Sequence, residues 1–329
     1  MTDPFDLRDS RRRFLAQIAG AVAWTPALLT SDVATAAIPR RDPDAKMTLG
    51  IGNYGMQALK VEEAISLIAE TGFDSLELSL MPDWDSAPSK FSEARRRTVR
   101  KQLEDTGLRL TSLMEDLHPS SDEAVHRQGI ERLKLAIELG HTLSSARPPL
   151  IQTVLGGGKW FEKRDLFVKR LTDWKELAET TKTVIAIKPH RSGAMSLPED
   201  ALWLRKELGD SEWLGMVYDY SHYADRQLPL EESIEAAAPA TALVAVKDIQ
   251  HNGMEYEFVL PGEAGTVNYT RLLKRFITAE YTGDVCCEVS SQVFRKPGYD
   301  PVEAARKCYR NMAKAFTLAG MPRKVPRAP

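Results

Sequence analysis

The sequence is poor in several features that define common protein classes. It has three cysteines in 329 residues. Cys286 and Cys287 are adjacent, and neighbours on a strand point to opposite faces, so they are badly placed to bridge. No disulfide framework follows, and no Cys-x-x-Cys or zinc-ribbon spacing occurs. Positive charge is not in excess: 44 Lys and Arg stand against 46 Asp and Glu, for a net charge of −2 and a pI of about 6.4. A surface that tracks a phosphate backbone needs a basic excess, so a nucleic-acid partner is excluded. The basic run Arg95-Arg96-Arg97 reads as a solvated helix face. Gly156-Gly157-Gly158 lacks the Gly-Lys-Ser/Thr ending of a phosphate loop and any dinucleotide fingerprint, and reads as a tight turn. No low-complexity tract appears.

What is present begins with an address. Ser10-Arg11-Arg12-Arg13-Phe14-Leu15 resembles the twin-arginine export motif. The apolar stretch that follows, 14–30, carries Gln17 and Pro26, which suits a signal h-region and not a stable membrane span. Ala34-Thr35-Ala36 supplies an A-x-A cleavage site. Residues 1–36 are therefore expected to be a twin-arginine (Tat) signal peptide and 37–46 a Pro- and Arg-rich linker. The protein would be periplasmic or otherwise exported, with the twin-arginine machinery as a partner. The alternative is a basic surface helix followed by a linker.

From residue 47 strand and helix patterns alternate. Strands are expected over 47–52, 75–80, 108–114 and 150–155, then from Val184, and in runs ending at Asp219, Lys247 and Glu288. Helices are expected over 61–71, 92–106, 121–140 (capped by Ser121), 163–181, from Pro198, and over 230–237, 269–279 and 301–318. Eight strand–helix units at about 30–40-residue spacing predict an α/β fold, a (β/α)8 TIM barrel over 47–318. Residues 319–329 read as a flexible tail.

The last four strand runs each end in polar residues. Side chains alternate faces along a strand. Ile185 and Ile187 should face the helices, leaving Ala186 and Lys188 on the barrel axis. By the same count Asp219 shares the axial face with Val217, Lys247 with Ala245, and Glu288 with Cys286. Lys188, Asp219, Lys247 and Glu288 thus alternate in sign around the carboxyl ends, where barrels of this class do chemistry. A neutral salt-bridge ring would explain four charges. It would not explain His190, His222 and Glu77 at the same strand ends. Each histidine alone reads as an ordinary hydrogen-bonded residue; together they read as a site.

Four segments carry a family resemblance: Asp219-Tyr220-Ser221-His222, Val246-Lys247-Asp248, Leu260-Pro261-Gly262-Glu263-Ala264-Gly265-Thr266, and Asp284-Val285-Cys286-Cys287-Glu288. They resemble the xylose isomerase-like TIM barrels of the AP endonuclease family 2 superfamily, which includes sugar phosphate isomerases and epimerases. The resemblance implies one divalent metal (Mn, Mg, Co or Zn) held by Glu, Asp, His and Glu at the ends of strands five to eight. It places Asp219 and Glu288 as metal ligands. Lys188 and Ala245 stand where the other Glu and the His belong, and a protonated lysine cannot ligate a cation. Three readings follow. In the favoured one the site is metal-free: the Lys188 ammonium polarises a carbonyl, Glu288 is the base, and His190 or His222 is a second acid/base. In another, Asp219 and Glu288 hold a relocated metal with one of these histidines. In the third, catalysis is lost.

The resemblance implies an isomerase or epimerase that abstracts a proton next to the carbonyl of a sugar or keto-sugar. A β-eliminating lyase on oxidised glycosides shares the enediolate-type intermediate, and a non-catalytic carbohydrate-binding barrel is the competing class. Glu77, Lys247, Trp84 and Trp160 are candidate substrate contacts, the tryptophans by stacking on sugar faces. Export argues against a phosphorylated substrate. The related multi-zinc DNA nucleases need more histidine than the six present.

Overall fold

The computed structural model describes residues 46–226, 228–253 and 255–323. The expected signal peptide and all but the last residue of the expected linker lie outside the described residues. Among the described residues ten strands are formed: β1 Thr48–Gly52, β2 Ser75–Ser79, β3 Arg109–Met114, β4 Leu150–Thr153, β5 Ile185–Ile187, β6 Leu214–Tyr218, β7 Thr241–Val246, β8 Asp248–Asn252, β9 Glu255–Val259 and β10 Asp284–Cys287. The helices are α1 Val61–Thr71, α2 Glu93–Thr106, α3 Glu123–Leu143, α4 Trp160–Thr181, α5 Pro198–Glu207, α6 Leu230–Ala237, α7 Tyr269–Thr278, α8 Ser291–Phe294 and α9 Pro301–Leu318. Strands β1 to β7 and β10 close a barrel in sequential order, with β10 returning to β1, and every barrel pairing is parallel. This is the expected (β/α)8 barrel. No helix among the described residues is long and apolar enough to cross a membrane.

Local sequence explains the helices. In α1, Val61, Ala64, Ile65 and Ile68 are buried on one stripe, the spacing of an amphipathic helix. Gly72 ends it at φ 103°, a left-handed cap that a side chain would oppose. Asp200 reaches back to the Ser196 and Leu197 amides to start α5, and Pro198 supplies its first residue. Helix α3 is capped by Asp122, whose carboxylate accepts from Ala124 and Val125, and not by Ser121 as expected. A carboxylate is the better acceptor for two orphan amides at once. Helix α4 starts at Trp160, three residues ahead of the expected Lys163.

The alternation rule held on the axis. Ala186, Val217, Ala245 and Cys286 form an inner apolar cluster with Leu150, Ala242 and Leu243. Ile185, Ile187, Val244, Val246, Val285, Cys287 and Val289 belong to the outer core between sheet and helices. All three cysteines are free and buried.

One feature departs from the expected plan. An antiparallel hairpin, β8–β9, is inserted between β7 and α7. Its signal was Asn252-Gly253, with Gly253 at φ 65° in the turn. Beyond the last helix, Arg323 pairs with Asp74 at 2.6 Å and donates to the Met47 carbonyl.

The glycine-containing loop after the hairpin is pinned by Asp248. Its buried carboxylate accepts from the amides of Ile249, Gly265 and Val267. Removing a buried acceptor leaves such donors unsatisfied, at about 1–3 kcal/mol. Asp248→Ala should lower the unfolding free energy by about that amount in urea titration, with faster amide exchange at Gly265 and Val267.

Candidate active site

The polar strand ends meet at the carboxyl rim. Lys188 follows β5, Asp219 follows β6, Lys247 follows β7 and Glu288 follows β10. Lys188 Nζ donates to Glu288 Oε2 and lies 3.4 Å from Asp219 Oδ2. Lys247 Nζ bonds to Asp219 Oδ2 and lies 3.0 Å from Glu288 Oε1. Two ammonium groups therefore interleave with two carboxylates. Lys188, Asp219 and Lys247 are 4%, 0% and 1% exposed, while the Glu288 side chain keeps 15% exposure. Glu288 is the member of the quartet that opens most toward solvent.

Such burial is tolerable only because the charges cancel. Burial alone would pull the Lys188 pKa down, but the Glu288 and Asp219 carboxylates outweigh it and hold the ammonium above its ordinary value. Burial would push Glu288 up, yet Lys188 and Lys247 together hold it at about 2. Asp219 is depressed too, because the same two lysines overcome its burial. All of these shifts favour the ionised quartet.

The histidines stand against it. The His190 and His222 rings lie 4.1 Å apart, centroid to centroid. His222 Nε2 is 3.2 Å from Lys247 Nζ, and its buried Nδ1 has no hydrogen-bond partner among the described residues. Since an ammonium only donates, Nε2 accepts, which puts the proton of the neutral ring on Nδ1. His190 Nδ1 pairs with the Ser192 hydroxyl at 2.7 Å. Burial, then Lys247, depresses both rings, His190 to about 4. Both are neutral near pH 7. Glu77, on β2, also points inward and accepts from Ser112 at 2.6 Å and from Gln152. Burial raises its pKa.

Of the two tryptophans, Trp84 stacks on Tyr54 at 5.5 Å, and Tyr54 meets Phe294 edge-on at 5.1 Å. The Tyr54 phenol is raised by burial and then by the Glu288 carboxylate. Trp160 instead packs edge-on against Trp203, 5.4 Å away, and on Phe167, between α4 and α5. Sequence reasoning missed Tyr54, although it lies two residues beyond the end of β1. It also missed Phe258 on the hairpin, whose ring lies 4.9 Å from Lys247 Nζ and 5.2 Å from the His222 ring. Tyr256, on the same strand, stacks under the Arg191 guanidinium at 3.3 Å. Gln292 and Lys296 tie the hairpin to α8, through the Phe258 amide at 2.7 Å and Glu257 at 2.9 Å.

A closed parallel barrel with an ion-paired site at its carboxyl rim defines the class of protein. Residues 65–312 match the model of the xylose isomerase-like TIM barrels, and the chain belongs to that family. A comparison with curated protein sequences finds no significant match. Solved structures share the fold at low identity. A 3-keto-D-glucoside 4-epimerase, YcjR, from E. coli has a TM-score of 0.65 at 18% identity, over 83% of this chain and 100% of that one. D-psicose 3-epimerase scores 0.66 at 15%, over 83% and 100%. IolI with a bound zinc atom scores 0.68 at 17%, over 82% and 98%. In a xylose isomerase-like TIM barrel/4-hydroxyphenylpyruvate dioxygenase fusion (0.64, 16%), 86% of this chain covers 46% of that protein.

The residues present do not fit the divalent metal that the family implies. Among the described residues no group of three or more His, Cys, Asp and Glu is placed to hold one. Ala245 offers no donor atom, and each remaining carboxylate is already bonded to an ammonium. Two unit charges 4 Å apart at an effective dielectric of 20 interact by about 4 kcal/mol, and a dication doubles the repulsion from each lysine. His222, the candidate replacement ligand, is engaged through Nε2 with Lys247.

The His190 shift has a consequence for stability. Its folded pKa of about 4 lies below the ordinary 6.5, so the unfolded chain binds the proton more tightly. The stabilisation is complete above pH 6.5 and is lost as pH falls toward 4. Thermal melts should show the melting temperature dropping over that window, and His190→Gln should make the drop shallower.

Proposed function

We propose that this protein is a sugar or keto-sugar isomerase or epimerase that moves a proton on carbon next to a carbonyl. The single observation that carries the reading is the buried quartet at the rim. It puts a solvent-facing carboxylate, Glu288, against an ammonium, Lys188, beside two neutral imidazoles. Glu288 takes the proton from the carbon adjacent to the carbonyl. The C–H electrons move into the carbonyl, and negative charge collects on its oxygen. A positive group aimed at that oxygen lowers the barrier. Returning the proton to the opposite face of the same carbon gives an epimer; returning it to the former carbonyl carbon gives an isomer. His190 and His222 are placed to move the hydroxyl protons that such steps require.

Glu288 rests at a pKa of about 2, which makes it a weak base while both lysines bind it. A substrate oxygen that draws an N–H of Lys188 away loosens that ion pair and strengthens the base. The reading takes the site as metal-free. The names of two structural neighbours, 3-keto-D-glucoside 4-epimerase and D-psicose 3-epimerase, support a carbohydrate carbonyl as the target. Trp84 and Tyr54 offer an aromatic face for the ring. The same enediolate could expel a β-substituent, as a lyase on oxidised glycosides would.

Proton NMR of keto-sugars incubated with the protein in heavy water tests the reading: exchange at the carbon next to the carbonyl is expected, and binding without exchange would leave a carbohydrate-binding barrel. Glu288→Gln should reduce that exchange at least 100-fold while the melting transition stays cooperative. We further propose that the chain is exported by the twin-arginine route, supported by Ser10-Arg11-Arg12-Arg13-Phe14-Leu15 and Ala34-Thr35-Ala36. Replacing Arg11 and Arg12 together by Lys should retain the protein in the cytoplasmic fraction; unchanged export would refute the route.

A further inference from the structure

The two lysines of the quartet are not equivalent. Lys247 Nζ bonds to Asp219 Oδ2 and to His222 Nε2 at 3.2 Å, and it lies 3.0 Å from Glu288 Oε1. The Phe258 ring covers it at 4.9 Å. Lys188 bonds to Glu288 Oε2, and its next nearest carboxylate oxygen, Asp219 Oδ2, lies at 3.4 Å. Among the described residues this leaves Lys188 with at least one uncommitted N–H, beside the carboxylate that opens most to solvent. The quartet is neutral as it stands, and Glu77, accepting from Ser112 and Gln152, is the next acid inward. A dication entering between Asp219 and Glu288 would displace the Lys188 ammonium from both and would face Lys247 as well.

We infer that Lys188 is a built-in cation: its ammonium occupies the space between Glu288 and Asp219, excludes divalent metal from them, and offers its free N–H to the substrate's carbonyl oxygen. Lys247 is the positioning residue that locks Asp219, Glu288 and His222 around it. The metal-exclusion half stands on the quartet's geometry alone. The half concerning the carbonyl oxygen rests on the proposed proton transfer.

Two measurements on the full chain separate these halves. In the first, the protein is titrated calorimetrically with Mn²⁺ and Zn²⁺. The wild type should take up less than one ion per chain. Lys188→Glu should gain one, and adding Asp219→Asn should abolish it. Lys188→Met, a milder change of similar length, should bind at least tenfold more tightly than the wild type. Stoichiometric uptake by the wild type that Asp219→Asn removes would overturn metal exclusion, as would a folded Lys188→Met protein with no gain. In the second, heavy-water exchange is followed with and without EDTA. Wild-type exchange should survive the chelator, and Lys188→Met should lose at least 100-fold in kcat, with partial return on adding ethylammonium. Exchange abolished by EDTA, or kept by Lys188→Met, would overturn the electrophile role. A wild type that exchanges no keto-sugar would overturn the proton-transfer reading and the electrophile role with it, and the titration would still decide metal exclusion.

Discussion

Four buried charges at the barrel rim constrain the rest of the structure. An isolated ammonium or carboxylate in that position would be neutralised or hydrated, because desolvation costs more than the fold could supply. Lys188, Asp219, Lys247 and Glu288 are stable there because each touches two partners of opposite sign. Neutrality of the set, not any one pair, holds the ionised forms. Losing a single member leaves an odd charge behind.

The neighbouring groups follow from that charge pattern. Beneath it the axis is filled by Ala186, Ala245 and Cys286, small enough to let long side chains rise to the rim. Beside it, burial and then Lys247 keep His190 and His222 neutral. Above it, the hairpin strand Glu255–Val259 lays Phe258 over Lys247. At the rim the chain's own nitrogen atoms lie between the carboxylates.

Much of the plan was readable from local pattern. Period-two alternation assigned Ile185 and Ile187 to the helix side and Lys188 to the axis, and the same count worked for the strands ending at Asp219, Lys247 and Glu288. The start of the helix at Pro198 followed from the place of proline among early helical residues. Errors arose where two local signals competed or a signal went unweighed. Ser121 and Asp122 both can cap, and the carboxylate won. Asn252-Gly253 pointed to a hairpin that the strand–helix rhythm concealed.

The sequence by itself determined which side chains lie on the axial face, and at which end of each strand, because alternation and helix capping are properties of a few consecutive residues. Tertiary structure decided which of those ends touch. Lys188 reaches Glu288 across 100 residues of chain, and Lys247 reaches Asp219 across 28. Only closure of the barrel brings them within bonding distance. The same closure set Lys247 under the Phe258 ring with Asp219 and His222 as hydrogen-bond partners and left Lys188 beside Glu288 with a spare donor, a distinction invisible in the order of amino acids.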